Sequence, residues 1–320
     1  MRIKAYVLAA DPAWIEHSVL SYYDIVDEIV VTYDQNFRGF TGVAIPVEEC
    51  LERLMAIDRD KKMRLLGGDF CRDSEHEPMA REVYQRQTAM ADIGDTADWI
   101  LQIDTDEVVP NPSRLVSMLK YATDLGFTSI EWPMRLIFQN LPDGRFLEVC
   151  QTDGAGHFEY PGPIALRPGA QPAHGRRAHG SFLRATVSGD QQSLQISRPN
   201  EDGEERVEFC DPNDAIIHFS WARTPEQMRL KLSTWAHSAG IRSWLYYYLR
   251  WRTAPYVWQW HHDFHPFARG LWPALRIAEP FQLTAMPDAT WQPDGMQRRG
   301  SRGHSDRPLA RSKGDQHTAS

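Results

Sequence analysis

One stretch limits the possible folds of this chain more than any other: Ala97-Asp98-Trp99-Ile100-Leu101-Gln102-Ile103-Asp104-Thr105-Asp106-Glu107-Val108-Val109-Pro110. A largely apolar run, Trp99 to Ile103, stops at two carboxylates one residue apart, and a third follows at once. Short apolar runs bounded by breakers read as buried strands, and such strands belong to sheets covered on both faces. Pro110, Asn111 and Pro112 close the segment, and Ser113 is placed to N-cap a following helix. The expected class is α/β, with Asp104 and Asp106 at the carboxyl end of a central strand, where open α/β sheets bind their ligands.

If that segment stays extended, residues i and i+2 point to one side, so Asp104 and Asp106 converge on a single hard cation while Thr105 faces away. Oxygen ligands suit Mg²⁺ or Mn²⁺, and carboxylates that hold such an ion beside substrate phosphates are a recurring arrangement. The plain alternative is a solvated acidic turn. The apolar strand in front and the Glu-Val-Val-Pro exit behind favour function.

Asp98 to Glu107 resembles the Asp-x-Asp region of family 2 and related GT-A glycosyltransferases. The resemblance reaches back to the N-terminus and weakly forward to about residue 240. It implies a GT-A-like mixed sheet flanked by helices, a nucleotide-diphospho-sugar donor, and Mn²⁺ or Mg²⁺ bridging the diphosphate. The acceptor would be a glycan, a lipid-linked sugar or a small molecule.

The chain opens with a strand, Ile3 to Ala10, a helix from Trp14 to Tyr23, and a β-branched strand from Asp27 to Tyr33. This order predicts a right-handed βαβ unit. By the resemblance, Ala9, Ala10 and Asp11 would line the base pocket, and Asp34 would touch the base or ribose; a turn residue is the alternative for Asp34. Gly-x-Gly-x-x-Gly and Walker patterns are absent, which removes support for a Rossmann dinucleotide site or a P-loop. Helices are expected at Val47 to Ile57 and Pro78 to Ile93, with a short strand from Met63 to Leu66 between them. The second helix has Val83, Gln87, Met90 and Ala91 inward. In similar transferases an arginine on this helix lies near the donor, so Arg86 or Arg81 would meet the diphosphate; a solvated salt bridge between Glu82 and Arg86 is the alternative.

Beyond the acidic motif, Leu115 to Leu125 reads as a helix and Thr128 to Phe138 as one long strand, with a turn at Leu141 to Phe146. Residues 151 to 180 form a loop rich in glycine, proline and histidine, suited to shaping an acceptor pocket. Its histidines (His157, His174, His179) have no fixed ligand spacing. Ser193 to Ile196 and Val207 to Phe209 read as a hairpin, Asp214 to Trp221 as a buried strand, and Thr224 as the cap of a helix running through Trp235. Ile-Ile-His-Phe-Ser-Trp-Ala-Arg resembles a segment of bacterial family 2 transferases, which implies His218 as a third metal ligand; a satisfied core histidine is the alternative. Inversion at the sugar would need a carboxylate base. Asp153 and Glu159 are the candidates, although no Glu-Asp pair stands where the family has its base.

Trp244 to Leu275 interleaves aromatics with arginines, which fits a peripheral membrane patch, an acceptor lid or plain packing. The expected division is a nucleotide-sugar half (1–112), an acceptor half (113–240), an aromatic extension (241–285) and a disordered tail (286–320). A formal charge of −8 without a basic run argues against nucleic acid. Four scattered cysteines read as free thiols, and the lack of a leader or membrane span points to a cytoplasmic protein, at the inner face of the membrane if the aromatic patch touches lipid. A sugar nucleotidyltransferase would start with a glycine- and arginine-rich phosphate loop, unlike Ala9-Ala10-Asp11-Pro12. The remaining alternative is a non-catalytic carbohydrate- or partner-binding module on the same fold.

Overall fold

The computed structural model describes residues 1–71, 77–234, 240–281 and 283 of the 320-residue chain. The described residues belong to one compact unit. Trp235 and the expected tail lie outside them.

The first half alternates strands and helices: β1 (Ile3–Leu8), α1 (Ile15–Tyr22), β2 (Glu28–Asp34), α2 (Val47–Ile57), β3 (Met63–Gly68), α3 (Pro78–Ile93), β4 (Trp99–Leu101), β5 (Glu107–Val108) and α4 (Pro112–Leu125). Ten strands follow, beginning with β6 (Ser129–Glu131), β7 (Met134–Asn140), β8 (Phe146–Cys150), β9 (Pro163–Leu166) and β10 (Pro172–His174). Next come β11 (Arg177–Ala178), β12 (Phe182–Val187), β13 (Glu204–Cys210) and β14 (Ile216–His218). Three helices, α5 (Pro225–Thr234), α6 (Ile241–Tyr246) and α7 (Ala254–Val257), precede β15 (Ala274–Ile277).

Eight strands form a mixed sheet in the order β13-β12-β6-β9-β4-β1-β2-β3, and five form a second sheet, β15-β8-β7-β14-β5. The β1–β2, β2–β3 and β1–β4 pairs are parallel. The large sheet is covered on both faces, as its continuous apolar strands require. Ala5, Val7, Ile29, Val31, Trp99 and Leu101 face one core with α1, α2 and α4. The alternate residues Tyr6, Val30 and Ile100 face Ala89, Met90 and Ile93 of α3.

Several expected elements need correction. The stripe that α3 buries is Gln85, Arg86, Ala89, Met90 and Ile93, while Ala91 is exposed. The inward face is therefore rotated toward Arg86. The N-cap of α4 is Asn111, whose side chain accepts from the Arg114 amide, and Pro112 takes the first helical position instead of Ser113. That helix ends at Gly126 with φ 78°, a left-handed cap that glycine adopts without strain. The long strand 128–138 is two strands, β6 and β7, which belong to different sheets. Pro133 lies between them, and a proline cannot donate to a sheet ladder. No hairpin joins 193–196 to 207–209: β13 pairs in parallel with β12, and residues 193–196 form a turn. The capping box of α5 is present, with the Thr224 amide on Gln227 Oε1 at 3.0 Å and the Gln227 amide on Thr224 Oγ1 at 3.2 Å. The four cysteines are free and buried.

Candidate functional site

The strand order places β1 and β4 side by side, with β2 and β3 running out from β1 on the opposite side from β4. This is a reversal of the kind that opens a crevice beyond the carboxyl ends of the strands. The acidic residues follow the carboxyl end of β4. After Leu101 the chain leaves the sheet, and Asp104 to Glu107 form a tight turn in which the Glu107 amide donates to the Asp104 carbonyl at 3.0 Å. The Asp104 amide donates in return to Glu107 Oε2 at 3.0 Å. Ser18 of α1 supports the turn through a 2.8 Å bond to the Asp104 carbonyl.

Because the segment is a turn and not a strand, the i,i+2 argument does not apply, and the two aspartates face different partners. Asp104 receives Arg86 Nη2 at 3.0 Å and Arg176 Nη2 at 2.5 Å, one on each oxygen. Asp106 Oδ2 receives Arg223 Nη2 at 2.8 Å and Lys231 Nζ at 3.2 Å, while Oδ1 lies 3.6 Å from His218 Nε2. Glu107 shares Arg176 with Asp104 and lies 4.0 Å from His218 Nε2. Among the described residues, Asp106, Glu107 and His218 form a group whose ligand atoms lie within 4.8 Å of one another, close enough to hold a metal ion. Asp104 is outside that group.

The electrostatics follow from burial. Burial pushes the Asp104 carboxyl upward, but the guanidiniums of Arg176 and Arg86 outweigh it and hold the group at about 2. Burial acts on Asp106 in the same way, and Lys231, His218 and Arg223 hold that carboxyl well below the usual range. Burial pushes Glu107 up to about 7 against the pull of Arg176. It lowers His218 to about 4, so the imidazole is neutral near pH 7 and its nitrogen lone pair is available to a metal. Burial also lowers the Lys231 ammonium, and the Arg223 charge adds to the effect.

Three of these cations were not singled out in the sequence. Arg176 sits in the β10–β11 hairpin, held over the site by Gln102, whose Nε2 donates to the Pro163 and Arg176 carbonyls at 2.6 and 3.0 Å. Its own Nη1 is buried and has no hydrogen-bond acceptor among the described residues. Arg223 ends the Ile-Ile-His-Phe-Ser-Trp-Ala-Arg segment and also binds Asp11 Oδ2 at 2.7 Å. Lys231 lies three residues after the buried Met228 of α5.

The other expected site residues divide clearly. Ala9, Ala10 and Asp11 lie just past β1, and Asp11 is tied into the site by Arg223. Asp34 holds its own loop: its carboxylate accepts from the amides of Asn36 (3.0 Å), Arg38 (3.2 Å) and Phe70 (2.8 Å), as a turn residue does. Arg86 is buried, not a solvated face residue. Arg81 donates to the Phe40 carbonyl at 2.7 Å.

Neither candidate base shares a hydrogen bond or ion pair with the acidic turn among the described residues. Asp153 is exposed and accepts from the Ala155 amide at 2.9 Å. Glu159 accepts from Trp272 Nε1 at 2.6 Å. The glycine-rich loop does line a cavity of about 310 Å³ with Arg135, Glu148, Gln151, His157 and Arg276, but no residue of the acidic turn lines it.

Glu159 gives a pH-dependent prediction. Burial raises its carboxyl to about 7, with only the Trp272 N–H acting against the shift. A folded pKa above the unfolded one adds stability that is complete below the unfolded value and lost as pH rises through about 7. Glu159→Gln keeps the acceptor and removes the charge. It is expected to stabilise the protein by about 1–3 kcal/mol at pH 8 and to change little at pH 5, read by thermal melting at both pH values. Equal melting shifts at the two pH values would contradict the assignment.

No family model matches the chain, and no curated protein matches it. Among solved structures, mannose-6-phosphate isomerase from Helicobacter pylori aligns at 16% identity with a TM-score of 0.28. That alignment covers 48% of this chain and 57% of the isomerase chain. A likeness of this size carries no argument about fold or function.

Proposed function

We propose that the chain is a metal-dependent glycosyltransferase of GT-A type, which moves a sugar from a nucleotide-diphospho-sugar to an acceptor hydroxyl. The observation that carries this reading is the meeting of Asp106, Glu107 and a neutral His218 with Arg86, Arg176, Arg223 and Lys231 beside the carboxyl ends of β1 and β4. Carboxylates and imidazole suit Mn²⁺ or Mg²⁺, and clustered guanidiniums suit phosphate oxygens. A divalent cation held by Asp106, Glu107 and His218 would stabilise the charge that grows on the departing diphosphate.

The ion pairs leave the site near neutrality. A dication alone would add positive charge beside Arg223 and Lys231, and a diphosphate alone would face Asp104 and Asp106. Entering together, the two bring little net charge, so each should strengthen binding of the other. Arg176 is placed to turn its unsatisfied Nη1 to a phosphate oxygen, and Arg86 accompanies it from α3. Asp11, paired with Arg223, would stand beside the donor at the end of β1.

The test is release of nucleoside diphosphate from UDP-, GDP- and dTDP-sugars, with water or added sugars as acceptor. Release from one donor class is expected with Mn²⁺, to disappear with EDTA, and to fall at least ~10–100-fold in His218→Ala, the range known for the outer partners of metal ligands. If folded protein releases nothing from any donor, the non-catalytic reading takes its place. That reading draws on the lack, among the described residues, of any hydrogen bond or ion pair between Asp153 or Glu159 and the acidic turn.

A further inference from the structure

The segment from α6 through the π-helical turn Tyr247–Trp251 to α7 carries both buried and exposed apolar side chains. The buried ones are accounted for: Tyr247, Trp251 and Ala254 pack with Trp221, Met228 and Leu232. Trp251 Nε1 donates to the Trp221 carbonyl at 3.0 Å. The exposed ones are not covered by any described residue to the same degree. Ile241 is 76% exposed, Leu249 67%, Tyr256 79% and Trp260 77%, and Leu245 and Tyr248 are about half exposed.

These positions are not scattered. All six lie between residues 241 and 260, interleaved with the buried Ser243, Tyr247, Trp251 and Ala254. Single exposed apolar side chains need no explanation, but six within one short segment mark a docking surface. The charge on the segment is one-sided as well. From Gln227 to His262 the sequence has no Asp or Glu, while it carries Arg229, Lys231, Arg242, Arg250 and Arg252 in a chain of net charge −8. Arg242, Arg250 and Arg252 are exposed on the same segment as these apolar side chains.

We propose that this face docks reversibly on an anionic lipid surface, with its helices lying in the plane of the interface. Aliphatic side chains enter the acyl boundary, Tyr and Trp rings sit at headgroup depth, and arginine stems run along the apolar surface to place guanidiniums on phosphates. A second copy is a poor occupant, because a self-complementary interface would set arginines against arginines with no carboxylate to separate them. No helix among the described residues is long and apolar enough to cross a membrane, so the contact is peripheral. The inner side of the same segment packs on α5, the helix that carries Lys231, so lipid would lie one helix layer from the acidic turn. The inference does not rest on the proposed glycosyl transfer.

The test is flotation of the full chain with vesicles of phosphatidylcholine alone or mixed with phosphatidylglycerol, at low and high salt. The protein is expected to float with the phosphatidylglycerol vesicles, several-fold less with phosphatidylcholine, and to lose binding as salt rises. Leu249→Glu and Tyr256→Glu change exposed side chains, so their melting temperatures should match the parent while flotation is lost. Arg250→Glu with Arg252→Glu should lose the preference for phosphatidylglycerol. No flotation of the parent, or flotation unchanged by Leu249→Glu and Tyr256→Glu, overturns the proposal. A parent that is dimeric by light scattering and becomes monomeric in Leu249→Glu also overturns it, since a second copy then covers the face.

Discussion

Asp106→Asn is expected to abolish metal-dependent nucleotide binding and to lower the melting temperature of the metal-free protein as well. The two losses have separate causes. Asp106 Oδ2 is shared by Arg223 at 2.8 Å and Lys231 at 3.2 Å, and all three side chains are largely buried. Arg223 keeps Asp11, but Lys231 keeps only the carbonyl and hydroxyl of Ser220, each at 2.8 Å. Breaking a buried pair on one side leaves an uncompensated charge and costs about 3–5 kcal/mol. The asparagine amide retains one oxygen for Lys231, so the cost should lie at the lower end of that range. Asp106→Ala should reach the upper end.

The pH dependence separates this charge effect from lost packing. The Asp106 carboxyl is held below its usual 3.8, so its contribution is present above that value and lost as pH falls toward the folded one. The gap in melting temperature between parent and Asp106→Asn should therefore narrow below about pH 4. On the binding side, the loss should be at least ~100-fold, because outer partners of metal ligands alone account for about 10–100-fold. Retained Mn²⁺-dependent binding in Asp106→Asn, measured by calorimetry, would place the metal elsewhere.

Arg184→Met is the second large effect, and it concerns stability alone. Arg184 of β12 is 1% exposed, with its Nε 2.7 Å from Glu131 Oε2 on β6 and its Nη1 2.5 Å from Glu204 Oε1 on β13. Glu204 keeps Arg206 when Arg184 is removed. Glu131 keeps no other ion pair among the described residues, and burial already pushes it up to about 7 against the pull of Arg184. The expected loss is about 3–5 kcal/mol, seen as a fall in melting temperature on the order of 10 °C. Adding Glu131→Leu should recover much of it, because a buried pair replaced on both sides by apolar groups is often neutral. Nucleotide binding should be unchanged, since none of these residues bonds to the acidic turn. A mild phenotype for Arg184→Met would contradict the β6–β12–β13 register.

Local patterns in the sequence located elements well where one periodicity dominated. The helices Val47–Ile57 and Pro78–Ile93 fall where the spacing puts them, and the run from Trp99 is a strand buried on both faces at the centre of the large sheet. The failures are those of local reading. The Thr128 to Phe138 run is uniformly strand-like, and only long-range pairing assigns its two parts to different sheets. The parallel partner of β13 is β12, across an intervening turn that looked like a hairpin partner.

The site was legible as chemistry but not as geometry. Asp104, Asp106 and His218 were singled out by type and position, and the structure brings Asp106 and His218 together. The separation of Asp104 from that pair was not legible, because the backbone turns after Leu101 and sends Asp104 to the arginines. Arg176 reaches Glu107 from 69 residues away, and Arg223 and Lys231 reach Asp106 from 117 and 125. Contacts at such separations leave no periodic trace. Glu107 both holds the turn through the Asp104 amide and lies within the candidate ligand group.

The most direct test of the account is isothermal titration of the full chain with UDP, GDP and dTDP, each with and without Mn²⁺. One nucleotide should bind with Mn²⁺ and bind at least ~10-fold more weakly without it, and Mn²⁺ should bind more tightly in its presence, because coupling between two ligands is reciprocal. Nucleotide binding that is indifferent to Mn²⁺, or no binding of any of the three to folded protein, would contradict the claim that Asp106, Glu107 and His218 form a metal site for a nucleotide-diphospho-sugar.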